Sequence, residues 1–205
     1  MKSILPFHRE AFEIIKDKFE LIEDLSSLKD EYEIVSIYGE NGKVEPKPII
    51  YPFLRNLFLE KMKFDMIPGK RIFITRKHSE LQHCGELKRY IFNETEVMKT
   101  LSKYNFEFIQ LEGLNMYDKI KLFMESELIV SSHSGSLTLL LFANSKAKII
   151  EILKNGTHGS DHSHYIGISQ TLKLNYHRYT NILEDSNGNF NLNVNEFENY
   201  LKPLL

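Results

Sequence analysis

The chain has 205 residues, enough for one domain with a sizeable core and a smaller attached segment. Its 42% hydrophobic and 26% charged residues are typical of a globular protein, which excludes disordered and collagen-like classes. The net charge of -2 gives no general attraction to nucleic acid or to an anionic membrane, so neither is expected as a partner. The single cysteine, Cys84, excludes an internal disulfide and indicates a reducing compartment.

The start of the sequence does not resemble an export signal, because Pro6 and His8 interrupt its first apolar stretch. No run approaches the roughly 20 apolar residues that span a bilayer. We therefore expect no membrane span and a cytoplasmic location.

Residues 1–69 are predicted to form a short α/β segment. Apolar residues recur every three or four positions in two stretches, which indicates amphipathic helices. The predicted elements are helices at 9–25 and 51–64, a strand at 31–38 and a loop at 39–48. Pro68 and Gly69 mark the best candidate boundary, so the second domain is expected to cover residues 70–205.

Beyond this boundary, short apolar runs alternate with helical segments. The predicted strands lie at 71–75, 106–111, 128–131 and 148–152, and the helices between them at 94–104, 116–126 and 136–143. This order predicts a parallel sheet with right-handed crossovers. A helix at 165–172, a strand at 175–179 and a helix at 195–201 would complete a Rossmann-like α/β domain.

In an open parallel sheet, ligands bind beyond the carboxyl ends of the strands. The third strand runs through Ser-His-Ser-Gly-Ser at 132–136 into an apolar helix. Small residues at a helix N-terminus expose backbone N–H groups and the positive end of the helix dipole, which favours a phosphate. Simple N-capping by Ser134 or Ser136 is the structural alternative.

Three further side chains at this edge have two interpretations each. Arg76 directly ends a strand, where it would pair with a diphosphate or form a surface ion pair. Asn93 and Glu96 have the spacing of a capping box, which is the favoured interpretation of both. Glu151 would accept hydrogen bonds from ribose hydroxyls, or would simply be a solvated strand end.

Four segments resemble glycosyltransferase family 61, and their order and spacing match over residues 70–179. They are RIFITR at 71–76, RYIFNETE at 89–96, LIVSSHSGSLTLLLF at 128–142 and IIEIL at 149–153. The resemblance implies an inverting, metal-independent transfer from a nucleotide-diphosphate sugar, usually a UDP sugar, to a glycan or protein acceptor. It also implies one half of a GT-B-like fold, with no separate cofactor.

The resemblance implies a donor-binding set but identifies no catalytic residue and no metal ligand. Arg76 fills the strand-ending arginine, and Glu151 fills the carboxylate of the fourth strand. The other members fill the R-x-x-x-N-E motif and the H-G-A-like loop with its neighbours: Arg89, Asn93, Glu94, His133, Ser134, Gly135 and Ser136. The chain departs from the family pattern at Ser134, which replaces a common Gly, and at Lys119 and Leu139, which replace a frequent Gln and Asn.

Residues 1–69 are too few for a second Rossmann-like domain of usual size. We therefore expect the acceptor half to be reduced or missing and to be completed by a homodimer or a separate partner chain. Phe7, Phe53 and Phe58 are candidate contacts, although core packing is the favoured role of these side chains.

Three alternatives stay open. A hydrolase would use Ser134, Asp161 and His164, but Ser132 and Ser136 replace the glycines of a nucleophile elbow. A transition metal would bind in a histidine-rich stretch that lacks a recognised spacing, comprising His158, Asp161, His162 and His164. A non-catalytic nucleotide-sugar or glycan-binding module, acting with a partner chain, is the third alternative.

Overall fold

A computed structural model of the protein describes residues 6–18, 50–76, 90–153 and 164–205. Its α-helices are α1 (Pro6–Ile15), α2 (Ile50–Leu59), α3 (Glu94–Leu101), α4 (Met116–Glu125), α5 (His164–Thr171) and α6 (Val194–Leu201). Its strands are β1 (Lys70–Ile74), β2 (Phe106–Ile109), β3 (Ser126–Ser132), β4 (Lys148–Ile152) and β5 (Asn175–Tyr179). Short 310 helices lie at Ser102–Tyr104, Leu111–Gly113 and Lys202–Leu204, and a longer one at Gly135–Phe142.

The five strands form one sheet in the order β2-β1-β3-β4-β5, and each neighbouring pair is parallel. This arrangement confirms the predicted Rossmann-like α/β fold. A parallel sheet is covered by helices on both faces, which explains why the three inner strands β1, β3 and β4 each contain a continuous apolar stretch.

The core has two parts, one on each face of the sheet. Along β1, Ile72 and Ile74 face the first part and Phe73 faces the second. Helices α2, α4, α5 and the 310 helix Gly135–Phe142 cover the first face. Helices α3 and α6 cover the second face, together with Phe190 and Leu192.

The described N-terminal helices pack on the first face. Tyr51 and Phe58 of α2 are buried in that core, where the rings of Phe58 and Phe142 lie 5.4 Å apart. Phe58 is therefore a core residue and not a partner contact, whereas Phe53 is 50% exposed. The division of the chain at residue 70 and the association with a partner stay predictions, and the predicted strand at 31–38 lies outside the described residues.

The segment after β3 differs from its predicted form. Residues 136–143 were expected to form an α-helix, but Gly135–Phe142 forms a 310 helix. The segment is apolar nearly all round and contacts α2, α4 and α5, so tertiary packing overrides its helical propensity. In the described ranges, every helix is too short or too polar to cross a lipid bilayer.

Candidate functional site

The order of the strands places a crevice between the carboxyl ends of β1 and β3. The chain passes from β1 to β2 on one side and then returns to β3 on the other side of β1. Ligands of open α/β sheets bind at such a switch point. Ile74 of β1 pairs with Ser131 of β3. Arg76 lies two residues after Ile74, and His133 lies two residues after Ser131. The two predicted ligand-binding side chains therefore belong to the same end of neighbouring strands.

Glu94 lies at the end of β1 and is only 3% exposed. It stands in the first turn of α3, where the helix dipole favours a carboxylate. The hydroxyl of Thr75 donates a hydrogen bond to Oε2 of Glu94 at 2.8 Å. This contact joins the start of α3 to the residue that precedes Arg76, and Arg76 itself is half-buried. Arg89 lies outside the described residues.

Asn93 ties the start of α3 to a distant part of the chain. Its Nδ2 donates to the carbonyl of Leu192 at 2.8 Å, and its Oδ1 accepts from the N–H of Leu192 at 2.9 Å. The side chain makes no capping bond to α3, so the capping-box interpretation is wrong on this point. Nδ2 also lies 3.2 Å from Oε2 of Glu96. These contacts engage the amide within the protein and indicate a positioning role.

Glu151 is fully buried, because its side chain points into the first face of the sheet beneath His133, Tyr176 and Arg178. Its Oε1 contacts Nδ1 of His133. The hydroxyl of Tyr176 donates to its Oε2, and Nε of Arg178 lies 3.5 Å from the same oxygen. A carboxylate held in this way differs from the expected solvated strand end, and contact of Glu151 with a ribose stays a prediction.

The same contacts set the chemistry of His133. A carboxylate that is ionised can only accept hydrogen bonds, so Nδ1 of His133 is the donor when Glu151 is in that form. Burial, and then the charge of Glu151, raise the pKa of Tyr176. The tyrosine therefore remains a donor to Glu151 at every physiological pH. Glu151 is thus equipped to orient His133.

The loop after His133 brings backbone close to the crevice. Ser134 is extended, with φ -163° and ψ 162°, and makes no side-chain capping bond. Its hydroxyl contacts that of Ser136 instead, and its carbonyl accepts from the hydroxyl of Tyr165 at 2.7 Å. Capping by the Ser134 side chain is therefore wrong. Gly135 is exposed, and a Cβ there would meet nothing within 4 Å, so the first N–H groups of the helix lie beside open space.

Sequence reasoning missed three side chains of this site: Tyr165, Tyr176 and Arg178. Tyr165 lies on α5, where its ring is 5.3 Å from that of His133. The register of β4 and β5 pairs Glu151 with Arg178, and Tyr176 faces the same side because side chains alternate along a strand. Alternation along the predicted strand 175–179 indicates that residues 176 and 178 share one face. Only the register of β5 against β4 shows that this face is the one that carries Glu151.

Two alternatives fall mainly on residues that the structure leaves out. His158, Asp161 and His162 lie in the gap before α5, and His164 begins α5 without a described side chain. Within the described ranges, no three His, Cys, Asp or Glu side chains converge as metal ligands. The metal cluster and the Ser134–Asp161–His164 triad therefore stay untested.

Comparison with known proteins supplies the family. No curated protein matches the chain. The model of the family described as Glycosyltransferase 61 matches residues 34–150, which is more than half of the chain. The match includes β1, α3, His133 and the loop at Gly135, and it ends immediately before Glu151. The chain therefore belongs to glycosyltransferase family 61 and is a glycosyltransferase.

Proposed function

We propose that the protein transfers a sugar from a nucleotide-diphosphate sugar, a UDP sugar in the first instance, to a hydroxyl of a glycan or protein acceptor. The donor lies in the crevice between β1 and β3. The transfer inverts the anomeric centre and uses no metal. The observation that carries the proposal is the buried pair of His133 and Glu151. His133 precedes the open loop at Gly135 and follows β3, which is the neighbour of the strand that Arg76 follows.

The diphosphate is bound by cations and backbone N–H groups. In this proposal the guanidinium groups of Arg76 and Arg89 face its oxygens, since arginine stays charged and makes paired hydrogen bonds to phosphate. Backbone N–H groups at Gly135 and Ser136, with the hydroxyl of Ser134, bind a second set of oxygens. These groups supply the positive charge that a metal ion supplies in other enzymes.

Glu94 and Asn93 act on the site in two different ways. Glu94 is held by Thr75 at the end of β1, where it keeps α3 against the crevice and serves as an acceptor for donor hydroxyls. Asn93 positions the same turn through its two bonds to Leu192. Glu151 acts through His133, whose Nε2 donates to a phosphate oxygen of the donor.

The reaction is a single displacement. The acceptor oxygen bonds to the anomeric carbon as the bond from that carbon to the diphosphate oxygen breaks, and a general base takes the hydroxyl proton. The electron pair of the broken bond leaves with the nucleoside diphosphate. Arg76, the loop N–H groups and an N–H of His133 stabilise that developing charge, which is where preorganised donors accelerate transfer most. Attack on the face opposite the leaving group inverts the anomeric configuration.

Calorimetry with UDP, GDP, CMP and dTDP sugars tests donor binding. A ligand that binds the native state stabilises it against unfolding, so thermal shifts offer a second measurement. We expect a UDP sugar to bind most tightly and its β-phosphate to be necessary, so that UMP binds far more weakly. Proton NMR of the product then tests inversion. Absence of binding by every nucleotide sugar, or a product with retained configuration, would contradict the proposal.

A further inference from the structure

A second cavity lies between α5 and the edge strand β5. Its volume is about 470 Å³, within the range of about 300–1,000 Å³ that small-ligand pockets occupy. Ser169, Gln170 and Lys173 line it from the α5 side, and Tyr176 and Arg178 line it from β5. The donor crevice opens between β1 and β3, and Tyr176 and Arg178 connect the two regions through their contacts with the buried Glu151.

The charges around this groove favour an anion. Lys173 is exposed at its rim, and the side chain of Arg178 is 30% exposed. None of the described residues that line the groove is acidic. The guanidinium of Arg178 also faces Glu151, but that carboxylate is fully buried and is shared with His133. A ligand that enters from solvent therefore meets two basic side chains.

A buried hydroxyl in the groove indicates a hydrogen-bonding ligand. Ser169 is 2% exposed, and among the described residues its Oγ has no hydrogen-bond partner. A buried polar group without a partner is unfavourable, and such groups are rare in folded proteins. Ser169 lies in the last turn of α5 and Lys173 in the turn that follows this helix, and both residues line the groove. One ligand can therefore contact both.

The remaining lining is part amide and part apolar. Gln170 provides one donor and one acceptor group, whereas Ile166, Leu174 and the ring of Tyr176 provide apolar surface. A sugar ring combines hydroxyl groups with apolar C–H faces, and a charged substituent would complete the match with Lys173 and Arg178.

We propose that this groove is a second ligand site, which binds an acidic sugar: a pyranose that carries a carboxylate or a phosphate. The lining side chains alone indicate that the ligand is an anion. That the ligand is a sugar rests on the proposed function. The carboxylate or phosphate pairs with Lys173 and Arg178. A ring hydroxyl donates to or accepts from Ser169, and Gln170 binds a further hydroxyl.

Titration of the full chain, followed by NMR or calorimetry, tests the ligand class. The probes are glucuronate and glucose 6-phosphate, with glucose as the neutral control and with acetate and inorganic phosphate as anions without a ring. We expect either acidic sugar to bind at least tenfold more tightly than glucose and than the corresponding free anion. The stronger of the two acidic sugars distinguishes a carboxylate site from a phosphate site. If glucose binds as tightly as the acidic sugars, the requirement for an anionic group is wrong. If acetate or inorganic phosphate binds as tightly as the corresponding acidic sugar, the requirement for a sugar ring is wrong.

Two variants locate the ligand in the groove. Lys173→Gln should weaken binding of the acidic sugar at least tenfold, while Lys99→Gln, at an exposed lysine on the other face, should leave it unchanged. Ser169→Ala should weaken binding several-fold without lowering the stability of the ligand-free protein, because it removes a hydroxyl that lacks a partner in the described structure. Unchanged affinity in Lys173→Gln would overturn the site.

UDP-sugar affinity is measured on the same samples and separates the two proposals. It should be unchanged in Lys173→Gln. If the wild-type protein binds the acidic sugar but no nucleotide sugar, the donor proposal fails while the groove remains. If it binds the nucleotide sugar but no acidic sugar, the proposal of a second site is wrong and the donor proposal is unaffected.

Discussion

Nδ1 of His133 and the carboxylate of Glu151 are in hydrogen-bond contact beneath the carboxyl edge of the sheet, and no part of Glu151 reaches solvent. The carboxylate joins two strands, since His133 follows β3 and Glu151 belongs to β4. It also accepts from Tyr176 of β5. The orientation of the histidine at the crevice is therefore set by side chains from the edge half of the sheet.

Glu151→Gln should lower kcat/KM about 10- to 100-fold, because the orientation of His133 depends on its contact with this carboxylate. The variant should remain folded, since an amide fills the same volume. The pH profile of kcat/KM should also change in the variant, whereas a merely structural effect would lower the rate equally at each pH. Tyr176→Phe removes one donor to Glu151 and should have a smaller effect in the same direction. Identical pH profiles for wild type and Glu151→Gln would remove the pair from the mechanism.

Arg76→Ala should weaken binding of UDP by more than about 1.5 kcal/mol, roughly tenfold, through loss of a charge-assisted contact with the diphosphate. Isothermal titration measures it directly. Arg76→Lys keeps the charge without the paired geometry and should recover only part of the affinity. Arg9→Ala, on the exposed surface of α1, is the matched control. If Arg76→Ala binds UDP as the wild type does, Arg76 is not part of the donor site.

Donor binding and transfer should survive chelation, since the proposed counter-charges are arginines, backbone N–H groups and histidine. Initial rates are compared in EDTA, and in EDTA followed by an excess of manganese. We expect no difference beyond experimental error. A large loss that manganese restores would instead support a metal-assisted transfer and would direct attention to residues 158–164.

Arg55 should stabilise the fold from outside the sheet. Its Nη1 donates to the carbonyls of Leu141 and Ala143, at 2.6 Å and 3.0 Å, and so binds the end of the 310 helix Gly135–Phe142. Arg55→Ala should lower the free energy of unfolding by about 1–3 kcal/mol, because two part-buried carbonyls lose their charged donor. Denaturant titration measures the change. Lys16→Ala, at an exposed ion pair with Glu13, should leave stability nearly unchanged.

Glu125 should make stability depend on pH at the amino end of the sheet. Burial opposes its ionisation, but the N–H of Ile67 at 2.9 Å and the ammonium of Lys70 at 3.0 Å outweigh this effect, so the pKa of Glu125 is lowered. A carboxyl with a lowered pKa in the folded state stabilises the protein above its ordinary pKa of 4.5, and this stabilisation is lost as pH falls through the folded value.

Glu125→Gln should therefore lower the free energy of unfolding by about 1–3 kcal/mol at pH 7. The difference from wild type should shrink as the pH falls below 4.5. Glu127→Gln, two residues further on in β3 at a side chain that is 48% exposed, is the matched control and should have little effect at either pH. A difference for Glu125→Gln that is constant from pH 3 to pH 7 would contradict this assignment of its ionisation.

Local patterns predicted β1 to β4 because each contains several apolar residues and is bounded by polar or turn-forming residues, whereas β5 consists of polar and aromatic residues. Phe106–Ile109 and Lys148–Ile152 illustrate this, and their alternation with helices was sufficient for the parallel sheet. The form of Gly135–Phe142 was not predictable in the same way. An apolar stretch without a polar face has no hydrophobic periodicity that indicates its type of helix. Its 310 geometry follows from packing against the helices that surround it.

The partners of the site residues were less predictable than their positions. Glu151 is placed at the end of a strand by the sequence pattern, but its burial depends on Tyr176 and Arg178 of another strand. The two bonds from Asn93 reach Leu192, which is 99 residues away. Contacts between residues so distant along the chain have no signature in local spacing.

The cover of the second face has a consequence for how the protein is made. Phe190, Leu192, Phe197 and Leu201 pack over that face, yet they are synthesised after all five strands. All five strands therefore precede a large part of the cover of this face, of which α3 is the earlier part, and Phe73 and Val130 are fully covered only after α6 has been made. Nascent chains halted before residue 190 should be captured by a chaperone that binds exposed apolar surface. Chains released from the ribosome should escape it, because Asn93 can then bind Leu192 and secure α3 beside the crevice.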